Sequence, residues 1–266
     1  MIKLLLSDVD GTLVRPDKSL APSTVDAVHG LHDAGIHFAV TSGRPPRGME
    51  MLVEPLAISA PLAGFNGGLV VEADFDVLEE HLVPDDVVSP AIVQLESFGL
   101  AVWLYGGGDW FVREPDGPHV ERESHTVQFK PTVVESFDDV STRVAKIVGV
   151  SDDFDAVAAA DSSAHDGFDM HVSVSRSQPY YLDITHPQAN KGAVVTYLAG
   201  RYDLAEDEIA TIGDMPNDVL MFARSGLSIA MGNAHREVQR AARHVTTTND
   251  EDGFANAVDR FILGRS

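Results

Sequence analysis

There is no cysteine among the 266 residues. A secreted scaffold stapled by disulfides, a thiolate zinc site and a cysteine nucleophile are therefore excluded. Long apolar runs are missing too: nothing approaches the roughly 18 residues that a bilayer-crossing helix needs. The opening run, Met1 to Leu6, meets Ser7 and Asp8 too early for a signal peptide. It reads as a buried first strand, and a cytoplasmic protein is expected. No repeat of ~20–50 residues and no low-complexity tract is present. Positive charge is scarce, with 19 Lys and Arg against 41 Asp and Glu, a net charge of −22. Such a surface repels the phosphate backbone and anionic lipid, so neither nucleic acid nor membrane is an expected partner. Solubility is sufficient reason for the excess.

The eleven histidines do not build a recognisable metal motif. Their densest group, His29, His32 and His37, lacks the i, i+4 pair with a glutamate of a zinc protease and reads as surface or capping positions. Gly106-Gly107-Gly108 is followed by no Gly-Lys-Ser/Thr and reads as a turn rather than a phosphate loop. Trp103, Tyr105, Trp110 and Phe111 read as core side chains of strands.

What is present is the composition of an ordinary globular chain, 44% hydrophobic and 23% charged, long enough for one core carrying an insertion. Apolar runs and helical periodicities alternate at both ends. Ile2 to Leu6 and Ile36 to Val40 read as strands covered on both faces. Between them Ser23 is expected to cap a helix with Val25, Val28 and Leu31 inward, ended by Gly35. Pro45 and Pro46 suit the first turn of a further helix burying Met49, Leu52 and Val53. The last third reads as helix 191–202, strand 209–212, helix 218–224, strand 227–231 and a final helix with Phe254, Ala257, Val258 and Phe261 inward. This rhythm predicts an α/β core with a doubly wound parallel sheet. The middle departs from it. Strands at 101–105, 170–174 and 180–184 alternate with helical stretches near 91–98 and 140–148, punctuated by proline. The expected organisation is a core from 1–83 and 188–266, carrying an inserted α+β domain over 84–187.

Chemistry concentrates at strand ends. The first strand runs into Asp8-Val9-Asp10-Gly11-Thr12, whose two carboxylates at i and i+2 point the same way along an extended chain. Thr41-Ser42-Gly43-Arg44 ends the second strand with a hydroxyl and backbone N–H groups suited to an oxyanion. Asn190-Lys191-Gly192 opens a helix with a compact positive charge. Gly213-Asp214-Met215-Pro216-Asn217-Asp218 leaves a later strand with two more carboxylates. Ligands of open α/β sheets sit beyond the carboxyl ends of strands. Several carboxylates converging there call for a hard cation with oxygen ligands, and Mg²⁺ is expected.

In this order the four segments resemble the four motifs of the haloacid dehalogenase-like superfamily. The insertion between the second and third resembles the cap of its Cof-type phosphatase branch. Phe65-Asn66-Gly67-Gly68 and Asn249-Asp250-Glu251-Asp252-Gly253 are lesser echoes. The resemblance implies a Rossmann-like core with a mobile cap, and a two-step phosphoryl transfer. Asp8 would be the nucleophile and Asp10 the general acid and base, with a pKa raised by its negative neighbours and partial protonation before turnover. Mg²⁺ would be held by Asp8, the Asp10 carbonyl and Asp214, with Asp218 nearby. Ser42, Gly43, Lys191 and Asn217 would bind the phosphoryl group, and Arg44, beside the motif, is a candidate for substrate contact. An aspartate at position 10 favours an alcohol leaving group. The implied activity is a phosphomonoesterase for a small phosphorylated metabolite, a sugar phosphate foremost. A sugar-phosphate mutase and a phosphorylatable signalling module without turnover are the alternatives.

Overall fold

The computed structural model describes residues 1–140, 143–168 and 171–265. Among the described residues, fourteen strands form two sheets. Five come first: β1 (Leu4–Asp8), β2 (His37–Thr41), β3 (Leu62–Gly64), β4 (Leu69–Val71) and β5 (Val77–Glu80). Six follow in the middle of the chain: β6 (Ala101–Gly106), β7 (Asp109–Val112), β8 (Thr132–Val133), β9 (Val144–Val150), β10 (Ser173–Gln178) and β11 (Tyr181–Thr185). The last three are β12 (Ile209–Gly213), β13 (Leu227–Ala230) and β14 (His244–Val245).

The core sheet has the order β14-β13-β12-β1-β2-β3-β4-β5. It is parallel from β14 to β3, and β4 and β5 are added antiparallel at one edge. Parallel strands are buried on both faces, which is why β1 is an unbroken apolar run. The strand period of two divides its side chains: Leu5 enters one apolar cluster, with Phe38, Val40, Ile212 and Phe254, while Leu4 and Leu6 enter another, with Val194, Val195 and Leu198. The first is covered by α1 (Pro22–Asp33) and the C-terminal α9 (Gly253–Ala257); the second by α6 (Lys191–Tyr202) and α7 (Val219–Phe222). The remaining helices are α2 (Glu50–Val53), α3 (Asp85–Ser97), α4 (Val120–Val127), α5 (Phe154–Phe168) and α8 (Arg236–Ala241).

The second sheet, in the order β10-β11-β9-β6-β7-β8, is antiparallel except for the β7–β8 pair. Helices α3 and α5 pack on one side of it. Its other side meets the core through an apolar cluster that joins Phe65 and Leu69 to Tyr105, Val120 and Val127. This sheet and its helices form the cap.

Four local expectations are corrected. Ser23 does not cap α1: the helix starts at Pro22, whose fixed φ suits a first turn, and the Ser23 hydroxyl donates instead to Asp252 at 2.6 Å. The stretch expected as a helix over 140–148 runs instead into β9, from Val144 onward. Val144, Ile147 and Val148 are spaced for a helical face, but the strand lies between β6 and β11, and a buried strand has the same unbroken apolar character. Residues 141–142 lie outside those described. The strand expected from Met170, itself outside them, begins at Ser173. The helix expected after Pro45 is a 3₁₀ turn, Pro46–Met49, followed by the single turn of α2, with Met49 and Leu52 buried. Among the described residues no helix is long and apolar enough to cross a membrane.

Candidate active site

Chain order reverses at β1. β2 and β3 extend the sheet to one side, and β12 to β14, reached only after the cap, extend it to the other. A crevice forms at such a reversal, and the loops after β1 and β12 border it. Asp8 has the same parity along β1 as Leu4 and Leu6, so it lies on the α6 side of the sheet. There the Asn190 side chain accepts the Ala193 N–H at 2.9 Å and fixes the start of α6. Lys191, the first residue of that helix, is buried and donates to Asp8 Oδ1 at 2.5 Å and to Asp218 Oδ1 at 2.6 Å.

Asp218 is wholly buried, and its other oxygen accepts the backbone N–H groups of Asp214 and Met215, each at 2.8 Å. Asp214 accepts from Thr12 at 3.3 Å and from Asn233 at 3.2 Å. Gly11, at φ +83°, has no room for a side chain: a Cβ there would lie 2.3 Å from Asp214 Oδ2. Carboxylate oxygens of Asp8, Asp214 and Asp218 lie within 4.8 Å of one another. Lys191 balances only one of these three charges. Burial and the neighbouring Asp218 push Asp214 up to about 6. Burial pushes Asp8 up as well; Lys191 opposes this, while Asp218 and Asp214 reinforce it. The donors are all oxygen, and Asp8 Oδ2 is buried with no hydrogen-bond partner. This donor set fits a hard divalent cation such as Mg²⁺. Asp218 is engaged by Lys191 and two backbone N–H groups at 2.6–2.8 Å, whereas Asp214 accepts only longer side-chain bonds and Asp8 has a free oxygen, so the carboxylates more open to such an ion are those of Asp8 and Asp214.

Asp10 differs from its expected state. Burial raises its proton affinity, but Arg44 and Lys18 outweigh burial and hold the carboxyl below its usual value. Arg44 binds both oxygens, each at 2.7 Å, and Lys18 Nζ lies 2.6 Å from Oδ1. The expectation of a raised pKa counted the acidic neighbours and missed these two cations. Asp10 is therefore ionised in this state. Arg44, buried at 3% exposure, reaches the carboxylate of Asp10.

A cavity of about 240 Å³ opens above these groups. Its floor includes Asp8, Asp10, Ser42, Gly43, Arg44, Lys191 and Asn217, so the structure brings these sequence candidates together. Ser42 is buried, and its hydroxyl accepts the Arg44 N–H at 3.2 Å. A Cβ on Gly43 would meet only the Asn66 side chain, at 3.8 Å, so the backbone here is open to a ligand. Asn217 donates to Asn66 at 3.0 Å, and its own carbonyl oxygen is buried without a partner. Asp214 and Asp218 stand behind this floor rather than in it. Sequence reasoning missed Lys18 and every cap residue of the roof, among them Arg122, Glu123, Lys146, Tyr181 and Asp183. In that roof Lys146 pairs with Asp183 at 2.8 Å, and the Tyr105 hydroxyl donates to Glu123 at 2.9 Å. These residues come from β6, α4, β9 and β11, which only the antiparallel pairing of the cap brings together.

Comparison with known proteins agrees with this geometry. The family model described as haloacid dehalogenase-like hydrolase matches residues 5–258. An inferred phosphatase of Haemophilus influenzae is 30% identical over 258 residues, covering 96% of each chain. A 5-amino-6-(5-phospho-D-ribitylamino)uracil phosphatase of Bacillus subtilis is 25% identical, covering 97% of each. The crystal structure of a haloacid dehalogenase-like hydrolase from Bacteroides thetaiotaomicron superposes with a TM-score of 0.92 at 27% identity, over 98% of this chain and 100% of the other. With the four strand-end motifs assembled at one crevice beneath a cap, this chain belongs to the haloacid dehalogenase-like hydrolases, in their Cof-type branch.

Proposed function

We propose that this phosphatase is a Mg²⁺-dependent phosphomonoesterase that hydrolyses small phosphorylated metabolites, sugar phosphates foremost, through a phosphoryl group carried on Asp8. The observation that carries the reading is the setting of Asp8. It is a buried carboxylate at the sheet's reversal point, with one oxygen held by Lys191 and the other without a partner. Asp214 lies close by, and the floor is lined by Ser42, Gly43 and Asn217. The phosphatase names of the relatives support the same class.

In this mechanism Asp8 attacks phosphorus while the bond to the leaving oxygen breaks, giving an aspartyl phosphate. Asp10 gives its proton to that oxygen, then takes one from the water that cleaves the aspartyl phosphate. A phosphoryl dianion beside Asp10 adds the negative charge that raises its proton affinity, so the acid form belongs to the loaded site. Lys191 and Asn217, with the Ser42 hydroxyl and the Gly43 backbone, bind the phosphoryl oxygens and stabilise charge in the transition state. Mg²⁺, held by Asp8, Asp214 and the Asp10 carbonyl with Asp218 behind them, would supply Lewis-acid polarisation of a phosphoryl oxygen. The cap, residues 84–187, closes over the substrate and excludes bulk water.

The test is release of inorganic phosphate from a panel of phosphomonoesters with Mg²⁺ and with excess chelator. Metal-dependent release that is absent in Asp8→Asn supports the reading. Isomerised product without phosphate release indicates a mutase, and a persistent phosphoprotein without turnover indicates a signalling module.

A further inference from the structure

Arg44 has a second engagement beyond Asp10. Its Nε and Nη2 hold the two oxygens of Asp10, while Nη1 donates to the carbonyl oxygen of Gly48 at 3.0 Å. Gly48 lies in the 3₁₀ turn Pro46–Met49, and that turn is where the cap rests on the core. A Cβ at Gly48 would lie 3.2 Å from Val127 Cβ and 3.3 Å from the Val127 carbonyl oxygen, at the C-terminus of α4. The preceding residue, Arg47, stacks its guanidinium over the ring of Phe129 at 4.6 Å and reaches Asp109 of the cap at 3.4 Å. The carbonyl that anchors Arg44 is thus itself fixed by the docked cap. Gly48 is not in the left-handed region of backbone space, so its lack of a side chain serves close approach rather than turn geometry.

We propose that Arg44 is a positioning residue that couples docking of the cap to the orientation of Asp10, and that Gly48 is the contact through which the cap is felt. When the cap is seated, the 3₁₀ turn is held, Arg44 is pinned at three nitrogens and Asp10 is aimed at the leaving oxygen. When the cap lifts, the anchor is released and the acid loses its aim. This rests on the phosphomonoesterase reading, in which Asp10 protonates the departing alcohol.

The experiment measures kcat/KM with Mg²⁺ for p-nitrophenyl phosphate and for phenyl phosphate. The two leaving groups are of similar size, but phenolate is much the more basic and needs the acid more. This constant reports steps up to release of the alcohol, so it isolates the acid role from the later hydrolysis. In Gly48→Ala the ratio of the two constants should shift by about tenfold or more against phenyl phosphate, within the ~10²–10⁴ that a positioned acid contributes. Arg47→Ala, at an exposed position with little risk to folding, should shift the ratio in the same direction. An equal fall on both substrates overturns the proposal, as does an unchanged ratio in Gly48→Ala and Arg47→Ala. A wild-type chain inert toward both esters overturns the phosphomonoesterase reading instead.

Discussion

Asp218 accepts the backbone N–H of Asp214 at 2.8 Å, so one acidic residue of the loop after β12 holds the other in place. The same oxygen takes the Met215 N–H, and its partner takes Lys191. Asp218 therefore organises the loop and the lysine at once. Asp218→Ala should cost about 1–3 kcal/mol in urea unfolding for each of the two backbone donors it leaves unpaired, while Lys191 keeps its bond to Asp8. Asp218→Asn keeps acceptor oxygen for the backbone and should cost less than the alanine variant.

Three buried carboxylates and one lysine leave negative charge that a divalent cation relieves. Mg²⁺ should raise the thermal midpoint of the protein, by an amount equivalent to about 2.7 kcal/mol at a hundred times its dissociation constant. Chelator should reverse the gain. In Asp214→Asn most of it should be absent, as read by melting with and without Mg²⁺.

Asp10 and Asp8 should separate cleanly. Asp10→Asn retains the backbone carbonyl at that position, so the Mg²⁺-induced rise in thermal midpoint should persist. Its kcat/KM for phenyl phosphate should fall by about 10²–10⁴. Asp8→Asn should abolish turnover of every ester.

Glu123 lies in the roof beside Tyr105, and burial raises its pKa; Lys146 and the Tyr105 hydroxyl offset this in part, while Asp183 adds to it. Between the ordinary glutamate value and this raised one, the folded protein binds more protons than the unfolded chain. Stability from this group is therefore full at low pH and is lost as pH rises through the raised value. Glu123→Gln keeps an acceptor for Tyr105 and removes the charge. It should raise the thermal midpoint at pH 7 and flatten the dependence of that midpoint on pH above the ordinary glutamate range.

The core was readable in the sequence because a parallel sheet makes local demands. Leu4, Leu5 and Leu6 must all be apolar when both faces are covered, and Asp8 and Asp214 stand at the carboxyl ends of neighbouring strands. The floor of the cavity was readable for the same reason, since each of its residues sits at a strand or helix end. The cap resisted because its order depends on pairing between distant segments. β9 has the apolar spacing of a helix and is a strand only because β6 and β11 flank it. Glu123, Lys146 and Asp183 carry no motif, and they meet only once those strands are paired. Asp10 lines the cavity as expected, but its charge state was misjudged, because Lys18 and Arg44 reach it from two other segments.

The reversal at β1 also sets a schedule. β1 finds its partner on one side in β2 soon after it is made, yet its partner on the other side is β12, about 200 residues later. At about 5–20 residues per second, synthesis leaves that edge of the nascent sheet open for roughly 10–40 s while the whole cap emerges. An unpaired apolar strand at a sheet edge is a template for association with other chains. The same insertion that roofs the cavity therefore prolongs the exposure of that edge in the newborn chain, and it delays the pairing of Asp8 with Lys191 until the last third of the chain emerges.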